Sequence, residues 1–119
     1  MSPASHRPPA PIHLARPDIG EREVELVLQV LRSDVLALGP FAQQFEAAMG
    51  AVSGRTHGIA CSSGTAGLHM GVRALGIGPG AEVITTPFSF VASANCILYE
   101  GATPRFVDIE EESLGLDPD

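Results

Sequence analysis

Two short runs hold the residue types with which this sequence could do chemistry. The first is Cys61-Ser62-Ser63-Gly64-Thr65-Ala66-Gly67, set between an apolar pentad and a helical pattern. Small residues let a backbone come close to a ligand. The first amides of a helix are unpaired donors, and the helix dipole favours an anion beside them. A phosphate fits such a turn, with the Ser63 and Thr65 hydroxyls as further donors. The same Ser-Gly-Thr run serves equally well as a plain helix N-cap, and its spacing alone does not choose between the two. The second run is Pro87-Phe88-Ser89-Phe90. An aromatic ring there could stack on a planar cofactor or pack as an ordinary core residue.

Other chemistries are closed to the chain. Its seven basic residues are all arginine, and it contains no lysine. A Schiff base to an aldehyde requires a primary amine, so this polypeptide alone cannot form one, and no catalytic residue is assigned. The histidines His6, His13, His57 and His69 lack metal-ligand spacing with one another, with cysteine or with carboxylates, so no metal site is expected. His69 lies one helical turn after Thr65 and could approach a ligand, although an imidazole on a helix flank commonly packs. Cys61 and Cys96 sit in apolar stretches and read as buried thiols. Neither GxGxxG nor GxxxxGK[ST] occurs, which argues against dinucleotide and nucleoside-triphosphate sites.

The elements that must position these runs follow from periodicity. Residues 1–11, rich in proline, serine and alanine, read as a disordered or extended arm. Asp18 and Glu21 form a capping-box variant ahead of a helix over 20–32, whose Val24, Val27, Leu28 and Leu31 recur at helical spacing. Pro40 opens a second helix that carries Phe41, Phe45, Ala48 and Met49 on one face and ends at Gly50. HGIAC (57–61) reads as a strand, and a helix over Leu68, Val72 and Leu75 closes at Gly76. EVITT (82–86) is a second strand, a helix closes at Gly101, and TPRFVDI (103–109) is a third strand. Two helices followed by β-α-β-α-β predict an α/β fold with parallel strands, whose functional edge lies at the strand C-termini. Three such strands leave a sheet edge open, so residues 12–119 read as an incomplete domain.

Composition narrows the partners. Fourteen carboxylates against seven arginines give a net charge of −7, and no basic cluster exists to grip a nucleic-acid backbone. No apolar run approaches the roughly 20 residues of a membrane span. No secretory pattern opens the chain, and a cytoplasmic location is expected.

The segments LGPFAQQFE (38–46), SSGTAGLH (62–69), GPGAEVITTPFSFVASAN (78–95) and GATPRFVDIEEESLGLDP (101–118) carry a resemblance. In this order they make the run from Ile12 to Pro118 similar to the N-terminal third of the DegT/DnrJ/StrS family. These are sugar aminotransferases dependent on pyridoxal 5'-phosphate (PLP), with the aspartate-aminotransferase-like (fold type I) architecture. The resemblance implies that 12–119 is the N-terminal part of the PLP-binding large domain. It implies that Gly64, Thr65 and Ala66 hold the PLP phosphate by backbone amides and the Thr65 hydroxyl. Phe90 matches the aromatic that stacks on the pyridine ring, which leaves Phe88 to packing. Asp108 belongs to a strand-ending VDI motif and is structural; the loop from Ser33 to Leu38 faces the active site in the family.

The same resemblance places the Schiff-base lysine and the pyridine-pairing aspartate beyond residue 119. It implies transamination of a nucleotide-linked keto sugar, with glutamate as donor, in a homodimer. Relatives that replace the lysine with histidine are sugar dehydratases, and that alternative stays open. So does a non-catalytic fragment or small-molecule-binding module.

Overall fold

The chain is described by a computed structural model over residues 13–118. The arm expected at 1–11 lies outside these residues. The order is α1 (Glu21–Leu31), α2 (Pro40–Val52), α3 (Gly64–Ala74), β1 (Glu82–Thr85), α4 (Ala92–Tyr99) and β2 (Thr103–Phe106).

The strands β1 and β2 pair in parallel, with Glu82 opposite Thr103 and Thr85 opposite Phe106, and α4 makes the crossover between them. Such a crossover is the usual way to join neighbouring parallel strands. Thr103 donates its backbone N–H to the Ala81 carbonyl just ahead of β1, and Val107 donates to Thr85 in β1, each at 2.9 Å. By the two-residue period of a strand, Pro104 between them turns its ring nitrogen away from β1, where the missing N–H breaks no bond.

The core sits between this crossover and α3. Ile97 is 2% exposed and forms the core with Cys96 and Ala102, against which Val72, Ile77 and Val83 pack. The glycines Gly76 and Gly101 follow α3 and α4 at φ of 70° and 72°. That left-handed conformation is cheap only without a Cβ, and it turns the chain back towards the sheet.

Three local expectations are corrected. α1 begins after Gly20, not at an Asp18 cap: the Glu23 carboxylate accepts the Gly20 N–H at 2.7 Å. Glycine has no side chain to return the bond, so only half of a capping box forms. Second, α2 runs through Gly50 to Val52, because a helix tolerates an internal glycine and Gly54, at φ 64°, is what turns the chain. Third, 57–61 pairs with no strand among the described residues. It is held to α2 instead, with the Ala60 N–H on Glu46 Oε1 at 2.9 Å. A Cβ at Gly58 would collide with the Glu46 carbonyl oxygen, so the two backbones nearly touch.

That unpaired run explains a fourth difference. Cys96 is buried as expected, but Cys61 is exposed, since no strand among the described residues pairs with 57–61. α1 likewise leaves Val24, Val27 and Leu31 exposed. The Cα radius of gyration is 21.5 Å, against roughly 13–14 Å for a compact domain of this length. No helix among the described residues is long and apolar enough to cross a membrane.

Candidate functional site

The first turn of α3 is built by Ser63. Its backbone is extended, at φ −165° and ψ 162°, and its Oγ accepts the Ala66 N–H at 3.1 Å. Its carbonyl accepts the Gly67 N–H at 3.0 Å. The helix begins at Gly64, so the Gly64 and Thr65 N–H groups lie ahead of any intrahelical acceptor. No group among the described residues takes them. Their donors stand at the positive end of the helix dipole, where an anion is favoured. A Cβ built on Gly64 would meet nothing within 4 Å, so the glycine borders open space and resolves no internal clash.

The opposite wall comes from the loop after β1. Thr86 Oγ1 accepts the Phe88 N–H at 3.1 Å, which bends the chain. The Phe90 carbonyl then accepts both the N–H and the hydroxyl of Ser93, at 3.1 and 3.0 Å, and so pins residue 90 at the start of α4. Its ring stays 75% exposed. Gly64, Thr65 and Leu68 on one side, with Ser89, Phe90 and Ser93 on the other, line a single open cleft of about 870 Å³.

The structure therefore brings together Gly64, Thr65 and Phe90. Ala66 does not line the cleft, and its amide is occupied by the Ser63 cap. Phe88 is also outside the cleft and is 64% exposed, so it packs into no core among the described residues. Ser89 and Ser93 line the cleft unforeseen by sequence reasoning. Their signal was the four-residue spacing around Phe90 at a helix start.

The remaining polar residues fall elsewhere. His69 does not line the cleft; its Nε2 lies 2.5 Å from Glu100 Oε1, and its ring meets Tyr99 edge-on. Arg73 reaches the same Glu100 oxygen at 3.3 Å. The His69 hydrogen bond, helped by the charge of Arg73, lowers the Glu100 carboxyl below its ordinary pKa against the opposing effect of desolvation. Asp108 is structural: its carboxylate accepts the Ile109 N–H at 2.8 Å and its carbonyl the Asp117 N–H at 3.0 Å. Glu110 holds the following turn through the N–H groups of Glu112 and Ser113. Among the described residues no group of three potential ligands gathers as a metal site would require.

The comparisons with known proteins agree with this architecture. A Streptococcus pneumoniae protein named as a sugar aminotransferase, solved in its PLP form, superposes with a TM-score of 0.83 at 34% identity. The match covers 89% of this chain and 27% of that one. Bacillus subtilis NtdA with bound cofactor PMP superposes at 0.72 and 39% identity, over 85% of this chain and 24% of that one. The spore coat polysaccharide biosynthesis protein SpsC of Bacillus subtilis (strain 168) is 47% identical over 102 residues. Those residues are 86% of this chain and 26% of that protein, so the chain spans about a quarter of the length of the relatives it matches.

The fold is thus that of the N-terminal part of the large domain in PLP-dependent, aspartate-aminotransferase-like transferases. More narrowly, a model of the DegT/DnrJ/EryC1/StrS aminotransferase family matches residues 17–119, and the chain belongs to that family.

Proposed function

We propose that the intact protein is a PLP-dependent aminotransferase acting on a nucleotide-linked keto sugar, with glutamate as amino donor. It works in the cytoplasm as a homodimer, and residues 12–119 are the N-terminal part of its PLP-binding large domain. One observation carries the reading. Two unclaimed helix-terminal amides and an exposed aromatic ring face one cleft that is otherwise poor in polar groups.

The residues present fit PLP. Gly64 and Thr65 offer two N–H donors and a hydroxyl to a phosphate, and the open space at Gly64 leaves room for its oxygens. Phe90 offers its ring to the pyridine, and the hydrogen bonds to its carbonyl fix the backbone that carries that ring. When bound, PLP supplies the electron sink that makes amino transfer possible. Ser89 and Ser93 flank Phe90 and give the cleft its polar rim. The Schiff-base amine must come from outside these 119 residues, which contain no lysine, so this chain alone completes no turnover.

Thr65→Ala in the full-length protein tests the assignment. The expected result is a PLP affinity about tenfold weaker, as befits one lost hydrogen bond to a charged group. Unchanged affinity sinks the assignment. Glutamate and nucleotide-linked keto sugars, supplied together, then test the substrates by the appearance of 2-oxoglutarate.

A further inference from the structure

α3 and α4 both begin at the cleft, with Gly64 and Thr65 on one helix and Phe90 to Ser93 leading into the other. They meet again at the C-terminal end of α4, alongside the α3 residues Leu68 and Gly71 that line the cleft. There His69 Nε2 and Arg73 converge on a single oxygen of Glu100, at 2.5 and 3.3 Å. Glu100 caps the C-terminus of α4, and its side chain is only 14% exposed. The Tyr99 ring closes over His69, centroid to centroid at 5.2 Å and inclined by 64°. The carboxylate accepts, so Nε2 carries the proton. Arg73 is 75% exposed, and its share is screened by water. The sheltered, directional contact is the one between His69 and Glu100.

Beside this contact the helices also meet through Val72, which itself lines the cleft, packed against Cys96 and Ile97. The driving force for this packing is non-directional, so a directional bond adds a separate constraint on how the helices sit along their axes. A short hydrogen bond tolerates little change in distance or angle. We infer that Glu100 and His69 are positioning residues: their bond fixes the slide of α3 against α4 and so sets the phosphate turn at Thr65 against the ring of Phe90. This rests on the cofactor reading above.

The test titrates the full-length protein and its Glu100→Gln variant with PLP and, separately, with inorganic phosphate. Inorganic phosphate senses the α3 turn alone, whereas PLP must satisfy turn and ring together. The expected result is a PLP affinity about tenfold weaker with phosphate held as in the parent, because misplacement penalises only a ligand that spans both helices. PLP affinity matching the parent's overturns the inference. So does equal weakening of both ligands, which marks a general loss of structure. His69→Asn breaks the same bond from α3 and carries the same expectation if Glu100→Gln yields no folded protein. Thr65→Ala separates the two levels. If it leaves PLP affinity unchanged, the cofactor reading falls and this inference with it; if it weakens PLP while Glu100→Gln does not, the positioning inference falls alone.

Discussion

The Ser63 hydroxyl accepts the Ala66 N–H at 3.1 Å, and this bond decides which amides of α3 are left for a ligand. A cap that claimed the Thr65 amide would leave the cleft a poorer anion site. Removing the cap by Ser63→Ala is expected to destabilise the protein by about 1 kcal/mol in urea unfolding. Ser63→Asp keeps the cap but sets a carboxylate beside the free amides. It should retain stability and weaken phosphate and PLP binding together. Parent-like phosphate affinity in Ser63→Asp contradicts the site.

Gly64 offers the converse experiment. A Cβ there meets no protein atom within 4 Å, so Gly64→Ala should fold at least as well as the parent, gaining up to about 1 kcal/mol from helix propensity. The new methyl group enters the space assigned to the phosphate. PLP binding should fall while the unfolding midpoint holds or rises, and a variant that binds PLP normally refutes the placement.

At Gly58 the opposite outcome is expected. An added Cβ would strike the Glu46 carbonyl oxygen, which is backbone and cannot swing aside. Gly58→Ala should therefore destabilise by roughly 1–3 kcal/mol, as overpacked positions do. Denaturant unfolding checks this; a change within experimental error shows that α2 and the 57–61 run can separate freely.

The Glu100 carboxyl has a folded-state pKa below its ordinary value of 4.5, owing first to the His69 hydrogen bond and then to Arg73. A depressed carboxyl pKa stabilises the fold above the unfolded-state value, and that contribution fades as pH falls through the folded-state value. His69 and Arg73, both on α3, are the polar groups that meet the Glu100 carboxylate, and the Tyr99 ring packs on His69. The stability gap between parent and Glu100→Gln should be full well above the ordinary carboxyl value of 4.5 and shrink as the pH falls below it. Urea unfolding across that range reads it, and a gap independent of pH rules out an ionised Glu100 as its source.

The Arg105 guanidinium bonds Glu82 across β1 and β2, with Nε at 2.8 Å from Oε1. Both side chains are more than half exposed. Arg105→Ala should leave the unfolding midpoint almost unchanged, and the small difference should shrink further in high salt. A larger loss in thermal or urea unfolding shows that the pair does more than its exposure suggests.

The helices were legible because their signals are local. Pro40, the spacing of Leu68 and Val72, and the closing Gly76 and Gly101 act within a turn or two, and the elements stand where they indicate. The Ser-Gly-Thr turn and Phe90 were legible too, although only the fold puts them across one cleft. What failed depends on distant partners. A strand is made by its neighbour, and HGIAC has none among the described residues, which also left Cys61 exposed. The Glu100 contact joins residues far apart in the chain, and nothing near His69 in sequence announces it. The α1 cap moved from Asp18 to Gly20 because a carboxylate three residues on, at Glu23, can serve a bare backbone N–H.

Pro104 has a bearing on self-association. The outer side of β2 faces away from β1 and pairs with no strand among the described residues, and an open strand edge is a template on which a second chain can grow. Pro104 leaves that edge one rung short, since no N–H is present where an incoming strand would seek it. An added strand can dock there only by skipping that bond, which disfavours runaway stacking while leaving the ladder to β1 intact.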